Sequence, residues 1–231
     1  MKKITLNDIR KMDYYYSESI KTLRSNIQFS GSDVKTILIT SCYPNEGKSD
    51  IAISLAKELG EIGKKTLLLD ADIRKSSYRS RFGVEEEITG LSEFLSGQSG
   101  VADLLYSTNY PGMDMAFSGR SAPNPSGLLG SQNFKNLLEA LRDVYSYILI
   151  DTPPIGSVID AAVVAQFADG AVLVIESDTV SYRVAQRAME QLRMSNCPVI
   201  GGVLNKVDTR KDKYYNHYYS RYGKYYNRYG S

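Results

Sequence analysis

The strongest constraint in this sequence is the place at which its apolar runs stop. Thr36–Thr40, Thr66–Leu69 and Tyr147–Ile150 are short, continuous runs rich in Ile, Leu and Thr. Runs of this length read as strands buried on both faces. The first leads into the turn-like Tyr43-Pro44-Asn45-Glu46-Gly47, the second ends in Asp70 and the third in Asp151. Between them lie helical stripes: Ile20, Leu23 and Ile27 within residues 17–27; Ile51, Leu55, Leu59 and Ile62; and Phe134, Leu137, Leu138 and Leu141. A helix over Tyr182–Arg193 separates two more strands, Ala171–Ile175 and Val199–Leu204. Leu91–Leu95 and Leu104–Leu105 read as helical pieces, and Met113–Phe117 as a short strand. The alternation predicts an α/β fold in three layers, a mostly parallel central sheet with helices on both faces. Ligands of such sheets bind at the carboxyl ends of the strands, where the three polar interruptions fall.

A chain of 231 residues suits one main domain. The expected division is a helical arm over residues 1–30, a core domain over 31–208 and a tail over 209–231. Net charge is only +2, so the whole chain gives no case for nucleic acid as a partner. The charge is uneven, however: from Lys206 to Ser231 there are seven Lys or Arg and two Asp or Glu. From Thr209 onward there is no Leu, Ile, Val, Met, Phe or Ala, so this stretch has no aliphatic core and is expected to be disordered. Cys42 and Cys197 are far apart and have no metal-like spacing; two buried thiols suit a reducing compartment. The basic start, Met1-Lys2-Lys3-Ile4-Thr5, is followed by no apolar stretch, and no run of about 18 apolar residues occurs, so neither a leader nor a membrane span is expected.

Gly47-Lys48-Ser49 follows a strand and opens a helix, which is the setting of a phosphate-binding loop. Backbone N–H groups of Asn45, Glu46, Gly47 and their neighbours would cradle phosphates at a helix N-terminus. Lys48 would neutralise β/γ-phosphate oxygens, and the Ser49 hydroxyl would ligate Mg²⁺. Cys42 stands where the full pattern has its first Gly. Asp50 stands where Ser or Thr is common, near the α-phosphate. A carboxylate repels phosphate there, although it suits the helix N-terminus; it turns outward, weakens nucleotide binding, or is an introduced substitution. Asp70-Ala71-Asp72 and Asp151 supply three carboxylates at strand ends. Phosphoryl transfer needs metal-holding carboxylates and an oriented acceptor hydroxyl, with little covalent work from the protein. Asp72 in particular also suits a plain turn-capping role.

These residues resemble the bacterial tyrosine kinases of capsule and exopolysaccharide synthesis, the CpsD/CapB type of P-loop NTPase, over nearly the whole chain. The resemblance is carried by Ser41–Ser49, by Leu67–Arg74 as the second Walker motif, by Ile148–Pro154, by Pro123-Asn124-Pro125 with Leu128, Leu129 and Ser131, and by the tyrosine-rich tail. It implies that ATP and Mg²⁺ are the cofactors. It also implies that Lys48 binds phosphates, that Ser49, Asp72 and Asp151 serve the metal, and that Asp70 and Asp72 between them activate the acceptor. The implied acceptors are Tyr214, Tyr215, Tyr218, Tyr219, Tyr222, Tyr225, Tyr226 and Tyr229, phosphorylated between subunits of a ring, by resemblance an octamer. The ring motif of the family is Glu with Arg at +3 and +6; here it reads Glu18, Lys21, Arg24. Other implied partners are a transmembrane activator, which would hold the protein at the inner face of the cell membrane, and a counteracting tyrosine phosphatase. Ser76 replaces a proline common after the second Walker motif, and Gly127 a common Glu.

Asn205-Lys206-Val207-Asp208 matches the guanine signature of GTPases, but Asn at the position of Asn205 contacts adenine in the resembled family, and ATP is the expected nucleotide. Other readings, two for the chain and two for its tail, stay open on the residues alone. A partitioning or cell-division ATPase switch would share the fold and use water as acceptor. A non-catalytic nucleotide-binding scaffold would draw its support from Asp50. The tail's mixture of Tyr with Lys and Arg also suits a sticky linker or stacking on a single-stranded nucleic acid.

Overall fold

The computed structural model describes residues 1–7 and 14–208. The eight tail tyrosines named above lie outside the described residues. In chain order the elements are β1 (Lys2–Lys3), α1 (Tyr14–Phe29), β2 (Thr36–Ser41), α2 (Lys48–Glu61), β3 (Thr66–Asp70), α3 (Tyr78–Arg81), α4 (Leu91–Leu95), α5 (Val101–Leu104), β4 (Leu105–Ser107), β5 (Met113–Ala116), α6 (Pro125–Leu129), α7 (Gln132–Arg142), β6 (Tyr147–Asp151), α8 (Asp160–Ala165), β7 (Gly170–Glu176), α9 (Tyr182–Met194) and β8 (Val199–Asn205).

The strands form one sheet in the order β1-β4-β5-β3-β6-β2-β7-β8. Every pairing is parallel except β4 with β5. Alternate side chains of a strand face opposite sides. Leu38, Leu67, Leu69, Ile148, Ile150 and Leu173 therefore enter one core with α6–α9, while Ile37, Ile39, Leu68, Leu149 and Val172 enter a second with α1 and α2. The three-layer α/β reading holds. One expectation is corrected: Leu105 does not continue a helix with Leu104 but starts β4, because its backbone pairs with Ala116 across the antiparallel step. A two-residue strand at Lys2 and Lys3 carries no periodicity and is set by pairing with Tyr106 and Ser107.

The expected N-terminal helix is present and longer than its stripe. It lies on α2, burying Ile20 and Ile27. The Tyr16 hydroxyl meets the Ser54 hydroxyl at 3.1 Å, and Arg24 donates to Glu58 at 3.0 Å. Ile4 and Leu6 are also buried in the second core. Residues 1–7 and α1 thus pack on the domain body.

Two short helices owe their starts to side-chain caps. Asn124 accepts from the Gly127 N–H at 3.2 Å with Pro125 at the first helical position, and Ser131 accepts from Phe134 N–H at 3.3 Å. Both satisfy donors that a helix leaves open. A Cβ on Gly127 would stand 2.3 Å from the Asn124 amide, so this cap favours Gly there.

Asp169 ties the far ends of the sheet. Its Oδ2 accepts from the backbone N–H groups of Lys35 and Thr36 at 2.9 and 2.7 Å, and from Arg142 at 2.5 Å. Asp169→Ala removes the acceptor for two backbone donors and one cation. It should lower unfolding free energy by about 2 kcal/mol in urea titrations while leaving nucleotide affinity unchanged, since Asp169 sits at the opposite end of the strands from the loop.

Candidate active site

The loop from Cys42 to Gly47 joins β2 to α2 and needs two left-handed residues, Asn45 at φ 67° and Gly47 at φ 89°. Cys42 has no positive φ, so a side chain is tolerated at the position where the Walker pattern has Gly. Room is made from the other side: a Cβ on Gly156 would stand 2.4 Å from the Cys42 carbonyl oxygen. The Cys42 thiol is buried, and burial raises its pKa to about 11, which leaves it protonated and inert.

Lys48 and Ser49 open α2 directly over the end of β6. The Ser49 hydroxyl donates to Asp151 Oδ2 at 2.5 Å. The Lys48 ammonium lies 3.9 Å from Asp151 Oδ1 and 3.3 Å from the Ser49 hydroxyl. Asp151 is 1% exposed, and its Oδ1 is buried without a hydrogen-bond partner. A buried carboxylate oxygen left open in this way calls for a cation or donor. Together with the Ser49 hydroxyl it suits Mg²⁺, which takes one or two protein oxygens and completes its shell with phosphates and water. Among the described residues no group of three or more His, Cys, Asp or Glu gathers as a metal cage.

Asp70 is the register partner of Asp151 on the neighbouring strand. It is fully buried and accepts from the Ser76 hydroxyl, from Asp72 N–H at 3.1 Å and from Ser118 N–H at 3.3 Å. Burial, and then the charge of Asp151, raise its pKa to about 7. Asp151 is raised as well, mainly by burial and against the pull of Lys48. Asp72 differs from both. It is half-exposed, and its Oδ1 accepts from Arg74 and Lys75 N–H at 3.3 and 3.0 Å. In this state it caps the turn after β3, the plainer of its two expected roles.

The remaining candidates divide in the same way. The Glu46 carboxylate is buried and holds the N–H groups of Tyr43 at 2.7 Å and Glu176 at 3.2 Å, so it braces the loop from behind. Asn205 ends β8 and donates its amide to the Glu46 carbonyl at 2.8 Å. Lys206 reaches the Asn45 carbonyl at 2.6 Å and Glu176 at 2.8 Å. Asp50 neither turns outward nor faces the loop uncompensated: it forms an ion pair with Arg81 of α3. Glu18 and Lys21 pair with one another at 2.8 Å on the exposed face of α1, whereas Arg24 is turned onto Glu58.

Sequence reasoning missed four partnerships here. Ser76, read as a backbone substitution, donates to Asp70. The buried Tyr78 donates its hydroxyl to the Ser49 carbonyl at 3.2 Å, and burial followed by the charges of Asp151 and Asp70 keeps it protonated. Arg74 grips the fully buried Asp160 with two bonds of 2.5 and 2.9 Å, fixing the turn after β3 to α8. Arg81 neutralises Asp50. All four partnerships span elements; the nearest signal in the sequence was their crowding behind Asp72.

A profile of the ParA family, described as NUBPL iron-transfer P-loop NTPase, matches residues 33–224. The tyrosine-protein kinase CpsD of Streptococcus pneumoniae is 41% identical over 219 residues, covering 94% of this chain and 95% of its own. The chain belongs to the bacterial tyrosine kinases of the CpsD type. The tyrosine-protein kinase YwqD of Bacillus subtilis is 36% identical and is covered over 86% of its length. Among solved structures, the chimerical protein CapA2B2 superimposes with a TM-score of 0.80 at 33% identity, covering 88% of this kinase and 92% of that chain. The kinase domain of the Escherichia coli tyrosine kinase ETK gives 0.81 at 29% identity, covering 86% and 78%. The kinase is therefore a nucleotide-binding protein-tyrosine kinase.

Two predictions follow from the charges around the loop. Arg81→Ala removes the cation paired with Asp50 and leaves more negative charge facing the phosphate site, and calorimetry should show ATP bound about tenfold more weakly, a loss of the size expected for one charge contact near a surface. Adding Asp50→Ser should restore affinity. The second prediction concerns pH. The folded pKa of Asp70 lies above its unfolded value of 3.8. Its stabilising contribution is therefore full below about pH 4 and lost as pH rises through about 7. Asp70→Asn should raise the melting temperature of the nucleotide-free kinase by several degrees at pH 8 and change it little at pH 4.

Proposed function

We propose that the kinase transfers the γ-phosphoryl group of ATP to tyrosines of the 209–231 segment on a neighbouring copy, and that this regulates capsular or exopolysaccharide synthesis. The observation that carries the reading is the convergence of Lys48, Ser49 and the open oxygen of Asp151 on one point, with Asp70 alongside. Backbone N–H groups of the loop and of the α2 N-terminus receive the phosphates. Lys48 neutralises charge on the transferring group. Ser49 and Asp151, with Asp72 once its turn opens, would hold Mg²⁺, which supplies electrostatic stabilisation of the phosphate oxygens. Asn205, which lies beside the loop, would contact the base.

Asp70 is the acceptor-activating group. Its burial raises its affinity for a proton to a value near neutrality, as a general base needs. The phenol oxygen of the acceptor forms a bond to the γ-phosphorus, the bond from that phosphorus to the β–γ bridging oxygen breaks, ADP carries the leaving electron pair, and the phenol proton passes to Asp70. Tyr214, Tyr215, Tyr218, Tyr219, Tyr222, Tyr225, Tyr226 and Tyr229 are the acceptors. Glu18 and Lys21, exposed on α1, are available to an assembly of copies, for which we adopt the ring, while Arg24 secures α1 through Glu58. No helix among the described residues is long and apolar enough to cross a membrane. A transmembrane activator is the partner we assign to bring the kinase to the inner face of the membrane, and a tyrosine phosphatase the partner that resets the tail.

The test is incubation of the purified chain with Mg-ATP and an activator fragment, followed by mass spectrometry of the tail. Phosphotyrosine should appear between Tyr214 and Tyr229 and fall at least a hundredfold with Lys48→Met, in the range seen when one transition-state charge contact is lost. ATP hydrolysis without tail modification would instead make the chain a nucleotide switch.

A further inference from the structure

A cleft of about 490 Å³ opens beside Asp70, at the carboxyl ends of β3 and β5. Two of its wall residues, Ser76 and Ser118, are the ones whose hydroxyl and N–H hold Asp70. Its apolar wall is Val84, Ile88 and Phe117. Phe117 is held edge-on by Tyr106 at 5.7 Å between ring centroids, and the Tyr106 hydroxyl accepts from Thr89 N–H at 2.9 Å, so the wall is anchored from behind. The floor thus offers an apolar side for an aromatic ring and polar groups toward the acid. The volume lies within the range of about 300–1,000 Å³ usual for ligand clefts.

The mouth is acidic. Glu85 and Glu87 line it, and Glu85, Glu86 and Glu87 are all exposed, with no ion-pair partner among the described residues. The two cations of the cleft are already engaged. Arg79 Nε donates to the Val84 carbonyl at 3.3 Å, and Arg120 lies 3.8 Å from Glu93. The bond to a neutral carbonyl leaves Arg79 its charge, but Arg120 is balanced by Glu93, and the three carboxylates of Glu85, Glu86 and Glu87 outnumber Arg79, so the net charge at the opening is negative.

The chain itself contains a matching segment. In the tail, Lys213-Tyr214, Arg221-Tyr222, Lys224-Tyr225 and Arg228-Tyr229 each place a basic residue directly before a tyrosine. Neighbouring side chains of an extended peptide point to opposite sides, so a tyrosine lowered to the floor leaves the preceding base at the mouth. Length is no obstacle. The 23 residues after Asp208 span up to about 75 Å when extended, enough to reach the cleft of a neighbouring copy.

We infer that the cleft between the Ser76–Ser118 wall in front of Asp70 and the Glu85–Glu87 rim is the acceptor groove, and that among the eight acceptors it favours Tyr214, Tyr222, Tyr225 and Tyr229, each immediately preceded by Lys or Arg. This rests on the reading of that segment as acceptor. Phosphorylation adds roughly −1.5 to −2 charges to each tyrosine, so the same acidic rim that draws in the basic segment repels the product and favours its release.

The experiment titrates the full chain against a fluorescent peptide of residues 213–229 and a second peptide with Lys213, Arg221, Lys224 and Arg228 replaced by Glu. Wild type should bind the native peptide about tenfold more tightly, the sum expected of two or three rim ion pairs. Glu85→Lys/Glu86→Lys/Glu87→Lys should reverse the preference without altering ATP affinity. A control with Glu61→Lys/Glu139→Lys/Glu190→Lys, equally exposed and remote, should keep the wild-type preference. Equal binding of both peptides, an unchanged preference in the rim variant, or loss of preference in the remote control would overturn the groove. Adding Mg-ATP separates the two readings. Transfer to both peptides alike sinks the groove and leaves the acceptor assignment; selective binding with no transfer leaves the groove and sinks the acceptor assignment.

Discussion

The structure turns on the register of β3 against β6. It sets Asp70 opposite Asp151 at the ends of two buried parallel strands, with the loop between β2 and α2 directly above. Two carboxylates so close and so buried are costly when both are ionised. One is met by Lys48 and Ser49, the other by Ser76, Ser118 N–H and Asp72 N–H. The result is an asymmetric pair: Asp151 keeps an oxygen open beneath the loop, while Asp70 is surrounded by donors, two of which, Ser76 and Ser118, line the cleft on the β5 side. The two acids thus differ in their surroundings, and that difference comes from neighbours rather than from residue type; the proposed division between metal and acceptor hydroxyl builds on it.

The loop keeps its shape by bracing from the opposite edge. Glu46, Asn205, Lys206 and Glu176 connect it to the ends of β7 and β8 through bonds of 2.6–3.2 Å. This explains how the loop tolerates Cys42 where the full Walker pattern has Gly: the needed left-handed turns fall at Asn45 and Gly47, and clearance comes from Gly156. The Asp50–Arg81 pair is a second local compensation. The carboxylate that argued against a working nucleotide site has a cation beside it, delivered by a four-residue helix that gives no periodic signal.

Much of the fold was legible because its signals are local. Five of the eight strands announce themselves as continuous apolar runs, and α1, α2 and α7 as stripes at helical spacing. Less legible were β1, β4, α3, α5 and α8, each six residues or fewer and held by partners distant in sequence. Among site residues, Lys48, Ser49, Asp70 and Asp151 were identifiable because loop chemistry and strand ends coincide. Ser76, Tyr78, Arg81 and the Arg74–Asp160 clasp were not, since a lone Ser, Tyr or Arg has no pattern until its partner is known. The Glu18, Lys21 and Arg24 triplet shows the same limit: its spacing is evident, but the commitment of Arg24 to Glu58 is visible only once α1 lies on α2.

The sequence by itself determined the layer architecture, the phosphate loop and the basic, tyrosine-rich character of the tail. Hydrophobic period, glycine placement and charge are properties of consecutive residues. Tertiary structure alone decided which carboxylate stays open, what neutralises Asp50, and that an acidic-rimmed cleft opens beside Asp70. Those outcomes depend on burial and on distances between chain segments dozens of residues apart, and electrostatic energies follow separation in space rather than in sequence.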